Sequence, residues 1–225
     1  MSQALRAVLF DLDGTLIHSL PDLVAAVNRM LATEARPPLT SDAVKAMVGD
    51  GADALVSRAF EATGGLPGPE IGPYLERFLA DYEPRSADTT LPWPGVEETL
   101  SRLRELGLAL AVCTNKPRAA TAEVLSKLGL DVHFDLVVAA EDAPAIKPDP
   151  AHVRVILDRL GIEAGAAVMV GDSINDILSA KAAGVRTVAL SFGYAHGPVA
   201  DLGADRVIDH FSDLICVLPN LGKPA

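Results

Sequence analysis

The sequence predicts an α/β protein, a parallel sheet covered by helices, with an all-helical segment inserted near its start. Three observations predict it. A short apolar run, Ala7-Val8-Leu9-Phe10, ends in the acidic turn Asp11-Leu12-Asp13-Gly14-Thr15. From about Pro92 onward, strand-like apolar runs alternate with helical ones. Between the two, over residues 17–85, no strand pattern stands out. Repeated βα units imply a parallel sheet with helices on both faces. A parallel crossover usually needs a single helix. Several in this position suggest a small separate domain over the C-terminal edge of the sheet, or else helices packed around the sheet.

The elements follow in order. The run at 7–10 is partly β-branched and bounded by Gly, so it reads as a buried strand. Ser19-Leu20-Pro21-Asp22 reads as a capping box opening a helix to about residue 32. Further helical segments lie at 41–47, 52–63 and 73–82, with Gly64-Gly65-Leu66-Pro67-Gly68-Pro69 as a loop. Helices are then expected at 95–106, 118–128, 150–160 and 174–183, ended by Gly107, Gly129, Gly161 and Gly184. Strands are expected at 108–113, 134–139, 166–170 and 185–190, with a last short one at 205–208. Residues 222–225 read as a frayed tail.

Composition narrows the class. A chain of 225 residues can bury a large core. It is 49% hydrophobic but only 4% aromatic, so Ala, Val and Leu dominate, as helices on a parallel sheet require. The net charge of −11 argues against nucleic acid or an anionic membrane as partner. An anionic substrate stays compatible if positive charge is supplied locally. Cys113 and Cys216 form no disulfide framework and no metal spacing, and both read as small core residues. No apolar run is long enough to span a bilayer, and the N-terminus lacks a signal-peptide pattern. The expectation is a soluble cytoplasmic protein, monomer or homodimer.

Asp11 and Asp13 sit at the C-terminal end of the first strand, where open α/β sheets bind ligands. Two close carboxylates repel, and either a divalent cation or a retained proton offsets that. A solvated turn is the plainer alternative. Three more polar features end predicted strands: Thr114-Asn115-Lys116, Lys147-Pro148-Asp149-Pro150 and Gly171-Asp172-Ser173-Ile174-Asn175-Asp176. Taken singly, Thr114 and Asp172 could be helix caps and Lys147 a surface lysine. Their joint placement at one sheet edge favours a site. Asp11 and Asp172 offer hard oxygen ligands that suit Mg²⁺. Thr114 offers a hydroxyl and Lys147 a fixed charge for phosphoryl oxygens. A carboxylate can attack phosphorus, and Asp13, on the same side of the extended chain, can serve as acid and base.

In order, Asp11-Leu12-Asp13-Gly14-Thr15, Thr114, Lys147 and Gly171 to Asp176 resemble the four motifs of the haloacid dehalogenase-like hydrolase superfamily. The resemblance covers essentially the whole chain. It implies a Rossmann-like core with strand order 5-4-1-2-3, formed by residues 1–16 and 86–225, and a helical cap at 17–85. It implies Asp11 as nucleophile and Asp13 as acid/base. Mg²⁺ would be bound by Asp11, Asp172 and the Asp13 backbone carbonyl, with Asp176 a water-mediated partner. Asn115 would join Thr114 and Lys147 in binding phosphate. Dehalogenases and phosphonatases of the superfamily lack the second acid, so Asp13 points to a phosphatase.

Two further stretches resemble the bacterial phosphoglycolate phosphatases of this superfamily: Val48-Gly49-Asp50-Gly51-Ala52-Asp53-Ala54-Leu55-Val56, and Ser191-Phe192-Gly193-Tyr194-Ala195-His196-Gly197-Pro198. In the first, Gly49 and Gly51 would place backbone N–H groups of a helix start against an anion such as a carboxylate, unless the stretch is an ordinary helix–helix turn. The second is otherwise a plain loop with an exposed His and Tyr. His18 departs from the acidic residue often found just after the first motif in this family. The expected substrate is a small anionic phosphate ester, with 2-phosphoglycolate first. Pyrophosphate hydrolysis, sugar-phosphate hydrolysis and phosphoglucomutase-like isomerisation are the alternatives within the superfamily. A non-enzymatic phospho-acceptor is the alternative outside it.

Overall fold

The computed structural model describes residues 4–221. The expected frayed tail at 222–225 and the first three residues of the N-terminus lie outside them. Six parallel strands form the sheet: β1 (Ala7–Phe10), β4 (Ala109–Cys113), β5 (Leu136–Val138), β6 (Ala167–Gly171), β7 (Arg186–Leu190) and β8 (Arg206–Ile208). Their order is β5-β4-β1-β6-β7-β8. This corrects the expected order 5-4-1-2-3. The sheet has six strands, because β8 hydrogen-bonds along the outer side of β7. The strand numbers also shift, because two further strands lie between β1 and β4 in the chain. These are β2 (Ile17–His18) and β3 (Leu91–Pro92), which pair antiparallel as a separate ribbon. A strand at 17–18 was not expected either. Two residues carry no readable alternation, and each pairs only because the chain enters and leaves the helical segment side by side.

The buried strands supply both faces of the sheet, since successive side chains point to opposite sides. Val8 and Phe10 pack with Leu100, Leu103, Val124 and Phe211 on the face covered by α5 (Val96–Glu105) and α6 (Arg118–Lys127). Ala7 and Leu9 pack with Val153, Ile156, Met169 and Ala180 on the face covered by α7 (Pro150–Leu160) and α8 (Ile174–Ala182). Cys113 is buried, but Cys216, on the short α9 (Leu214–Val217), is exposed, which corrects its reading as a core residue. No helix among the described residues is long and apolar enough to cross a membrane.

Four helices form a cap: α1 (Leu20–Thr33), α2 (Ser41–Lys45), α3 (Gly51–Glu61) and α4 (Gly72–Tyr82). They pack on one another rather than around the sheet. Their apolar faces meet in one cluster that includes Leu23, Val27, Leu31, Phe60, Phe78 and Tyr82. The capping box expected at Ser19 does not form, as the Ser19 side chain makes no cap bond. Asp22 turns instead to the returning chain, where it accepts from the backbone and hydroxyl groups of both Thr89 and Thr90 at 2.5–3.1 Å. Four donors outcompete one helix terminus, and they hold the Asp22 carboxyl below its usual range despite burial.

Candidate active site

The C-terminal ends of β1, β4 and β6 bring the polar motifs together. Asp11 continues β1, its N–H donating to the Val170 carbonyl at 2.9 Å. Thr114 continues β4, donating to the Val138 carbonyl at 3.0 Å. The chain must approach itself closely here. Gly14 has φ +91°, and a Cβ there would fall on the Asp172 carboxylate; one at Gly171 would fall on the Asp176 side chain.

Lys147 is the centre of the site. Its side chain is 2% exposed, and its ammonium donates to Asp11 Oδ1 at 2.7 Å, Asp176 Oδ1 at 2.7 Å and the Cys113 carbonyl at 2.5 Å. All three of its protons are thereby used. Burial opposes the charge, but Asp11 and Asp176 outweigh it and keep the ammonium protonated well above neutral pH. Asp172 accepts from Thr15 Oγ1 at 2.7 Å and from the Tyr194 N–H at 2.6 Å. Asp176 accepts from the N–H and hydroxyl of Ser173 at 3.0 and 2.7 Å, so Ser173, not Asp172, caps α8.

Carboxylate oxygens of Asp11, Asp172 and Asp176 lie within 4.8 Å of one another, and all three residues are buried. One ammonium does not balance three carboxylates. Burial, helped by Asp176 and Asp172, pushes the Asp11 carboxyl well up against the pull of Lys147. Burial and Asp176 push Asp172 up to about 7. A cluster of hard oxygen donors that is short of positive charge is what a divalent cation stabilises. The three aspartates can hold a metal ion.

Asp13 faces the same cleft, and both its carboxylate oxygens lie 3.1 Å from Lys116 Nζ. Thr114 Oγ1 accepts from the Lys116 N–H at 3.2 Å and lines the cleft. Asn115 is committed to framework contacts. Its Nδ2 donates to the Lys147 carbonyl at 2.8 Å and the Gly49 carbonyl at 2.9 Å, and its Oδ1 accepts from the Lys147 N–H at 2.9 Å.

The cap closes the other side of the cleft. Gly49 and Gly51 line it, together with Leu23, Leu55 and Phe78. The turn is fastened to the core, because Asn175 Nδ2 also reaches the Gly49 carbonyl at 3.3 Å and Asp50 Oδ1 at 2.6 Å. Arg58 pairs with Asp50 at 2.5 Å, and Lys45 lies 5.7 Å from the Tyr194 ring centroid. The loop after β7 is more than a plain loop. His196 is exposed, but Tyr194 is buried, and its hydroxyl accepts from the Leu20 N–H at 3.0 Å and meets His18 Nδ1 at 3.0 Å. His18 also packs against Trp93, ring centroids 4.8 Å apart.

Sequence reasoning missed Lys116 and Tyr82 as site residues. Lys116 had a signal, since it directly follows Thr114 and Asn115. Tyr82 had none, because an aromatic residue at the end of an amphipathic helix reads as core.

The comparisons agree with this geometry. The family model of the haloacid dehalogenase-like hydrolases matches residues 8–190. A phosphoglycolate phosphatase of Caulobacter vibrioides is 45% identical, covering 96% of this chain and 95% of the relative. One of Rhodospirillum rubrum is 46% identical, covering 93% and 89%. A crystal structure described as a predicted phosphoglycolate phosphatase, from Haemophilus somnus 129PT, superposes with a TM-score of 0.91 at 32% identity, covering 96% of this chain and 99% of that one. With its acidic strand ends, its central lysine and its helical cap, the chain belongs to the haloacid dehalogenase-like hydrolases.

Proposed function

We propose that this chain is a Mg²⁺-dependent phosphomonoesterase that hydrolyses 2-phosphoglycolate to glycolate and phosphate. The observation that carries the chemistry is the cluster of Asp11, Asp172 and Asp176, two of which pair with the ammonium of Lys147. The substrate rests on the relatives of Caulobacter vibrioides and Rhodospirillum rubrum, which bear that name.

Asp11 is the nucleophile. Its carboxylate oxygen attacks phosphorus, and the ester P–O bond breaks with its electron pair leaving on the ester oxygen. Asp13 gives that oxygen a proton, and glycolate departs. Asp13 then takes a proton from water as the water oxygen attacks the phosphorus of the aspartyl phosphate, and Asp11 is released with inorganic phosphate. Thr114 binds one phosphoryl oxygen, and Lys147 gives up one of its three present contacts to bind another when the ester enters, while Asn115 fixes the Lys147 backbone. Asp11, Asp172 and the Asp13 backbone carbonyl would hold Mg²⁺, with Asp176 assisting through water. When bound, the cation lowers the repulsion between an anionic nucleophile and an anionic ester.

The division of labour follows the chain. Among the described residues, 4–16 and 86–221 form the catalytic core and 17–85 the cap, whose Gly49 and Gly51 face the non-phosphate half of the substrate. The separate apolar cluster shared by α1 to α4 supports that boundary. The test is kcat/KM with Mg²⁺ over a panel of small phosphate esters and pyrophosphate. The expected result is repeated turnover with 2-phosphoglycolate preferred. A sugar phosphate or pyrophosphate preferred ten-fold or more overturns the substrate, and a single phosphorylation per chain overturns the hydrolase.

A further inference from the structure

Lys116 is a second buried ammonium in the cleft, with 2% of its side chain exposed. It leaves the end of β4 directly after Thr114 and Asn115. It contacts both oxygens of Asp13 at 3.1 Å and donates to the Tyr82 hydroxyl, with its Nζ 4.8 Å from the centre of that ring. Its three donors therefore face three acceptors. Tyr82 is the last residue of α4, so it belongs to the cap. It is buried, and its ring stacks on Phe78, one helical turn earlier, with centroids 5.5 Å apart. Directly after it the chain turns through Glu83–Arg85 back to the core, where Ser86 Oγ reaches the Ala120 carbonyl at 3.4 Å. The carboxylate of Asp13 is thus held by a core lysine, and that lysine by a cap tyrosine. Lys147 is wholly occupied by other partners, so the Asp13 side chain owes its placement to this second chain of contacts.

We propose that Lys116 and Tyr82 are positioning residues that hold the Asp13 carboxyl group at the ester oxygen, so that the cap contributes to proton transfer as well as to substrate choice. The inference rests on the acid/base role of Asp13 proposed above. A short carboxylate side chain turns freely about two bonds, and a misplacement of about 1 Å at a reacting group can cost on the order of a hundred-fold in rate. The Tyr82 hydroxyl acts one contact away, so its removal should cost about ten-fold.

The experiment is a double-mutant cycle between Tyr82→Phe and Asp13→Asn. It reads the single-turnover rate of leaving-group release and the KM of each variant. The substrates are 2-phosphoglycolate, a poor alkoxide leaving group, and nitrophenyl phosphate, a good one. Tyr82→Phe keeps the ring stacked on Phe78 and removes only the hydroxyl. It should slow release from 2-phosphoglycolate about ten-fold, with KM and the nitrophenyl rate within about two-fold. In the Asp13→Asn background it should add nothing. Lys116→Met keeps the length of the stem but removes the direct contact to Asp13. It should slow release from 2-phosphoglycolate by on the order of a hundred-fold, with the same dependence on leaving group and on Asp13, and serves if Tyr82→Phe fails to fold by circular dichroism. A Tyr82 loss that persists in full beside Asp13→Asn, a loss confined to KM, or no loss overturns the proposal. If Asp13→Asn slows both substrates equally, the role of Asp13 falls and this inference with it. If Asp13→Asn depends on the leaving group and Tyr82→Phe is inert or additive, only this inference falls.

Discussion

Asn115 grips Lys147 by the backbone at both ends of one residue. It accepts from the Lys147 N–H at 2.9 Å and donates to the Lys147 carbonyl at 2.8 Å. This clamp aims the ammonium between Asp11 and Asp176. Asn115→Ala leaves a buried N–H and a buried carbonyl without these partners. The expected cost is about 1–3 kcal/mol of stability. Turnover should fall for every phosphate ester, because the lysine serves the phosphoryl group common to all. Chemical denaturation and kcat/KM on two unlike esters check this, and a loss restricted to 2-phosphoglycolate would assign Asn115 to substrate choice instead.

Asp11→Asn should abolish turnover and leave the fold intact. The amide is a poor nucleophile and a weaker ligand for a hard cation. It also removes one carboxylate from a buried group of three, while Lys147 keeps Asp176 and the Cys113 carbonyl. Without metal, the melting temperature should therefore hold or rise. With Mg²⁺ added, the variant should gain less than the native protein, whose gain follows the binding of the ion to the folded state, about 2.7 kcal/mol at a hundred times Kd. Appreciable turnover in a preparation free of deamidation would remove Asp11 from the nucleophile's role.

The catalytic edge was legible in the sequence because its residues are local. Asp11, Thr114 and Asp172 each follow an apolar run, and a strand end is where such a run stops, while Lys147 follows β5 only after a loop. The bounds of α7 were legible too, since Pro150 opens the helix and Gly161, at φ +62°, closes it. Long-range pairings were not. The link from Asp22 to Thr89 and Thr90 spans more than sixty residues, and a helix-start pattern at Ser19 concealed it. Tyr82 reaches Lys116 because the end of a cap helix packs against the turn after β4, which no periodicity encodes. The ribbon of β2 and β3 is too short to alternate.

His152 makes the core sensitive to acid. It is fully buried in α7, with Nε2 against the Val138 carbonyl at 3.3 Å and Nδ1 without a partner. Burial, followed by the charge of Lys147, lowers it from 6.5 to about 4. The folded protein keeps the ring neutral, while the unfolded chain binds a proton below 6.5. Between these values the unfolded state holds more protons, so stability rises with pH. The contribution is present above pH 6.5 and is lost as pH falls toward 4, by about 3 kcal/mol. His152→Leu removes the titrating group and the orphaned nitrogen, and the Val138 carbonyl keeps its bond from Thr114. Denaturant midpoints at pH 4.5 and 7 should differ less in this variant than in the native protein. An unchanged difference would place the acid sensitivity elsewhere.

The turn at Gly49 and Gly51 should set substrate choice. Both residues have positive φ, +118° and +87°, which a β-branched side chain adopts only with strain. A Cβ at Gly51 would also stand 3.6 Å from the Asn115 carbonyl, at the wall of the cleft, whereas one at Gly49 would meet nothing within 4 Å. Gly51→Val therefore disturbs both the backbone and the cleft. A substrate with a carboxylate beyond its phosphate needs that wall, and a small aryl phosphate needs it less. The Lys147 clamp survives the change, because Asn115 holds it by two bonds independent of the cap. We expect kcat/KM for 2-phosphoglycolate to fall roughly ten-fold further than that for nitrophenyl phosphate, about 1.4 kcal/mol of lost discrimination. Gly49→Ala, with open space for its Cβ, should give a smaller change in the same direction. Circular dichroism confirms folding in each case. If the ratio of the two substrates does not move and both rates stand, the turn lies outside the site, and 2-phosphoglycolate must be recognised by the core alone.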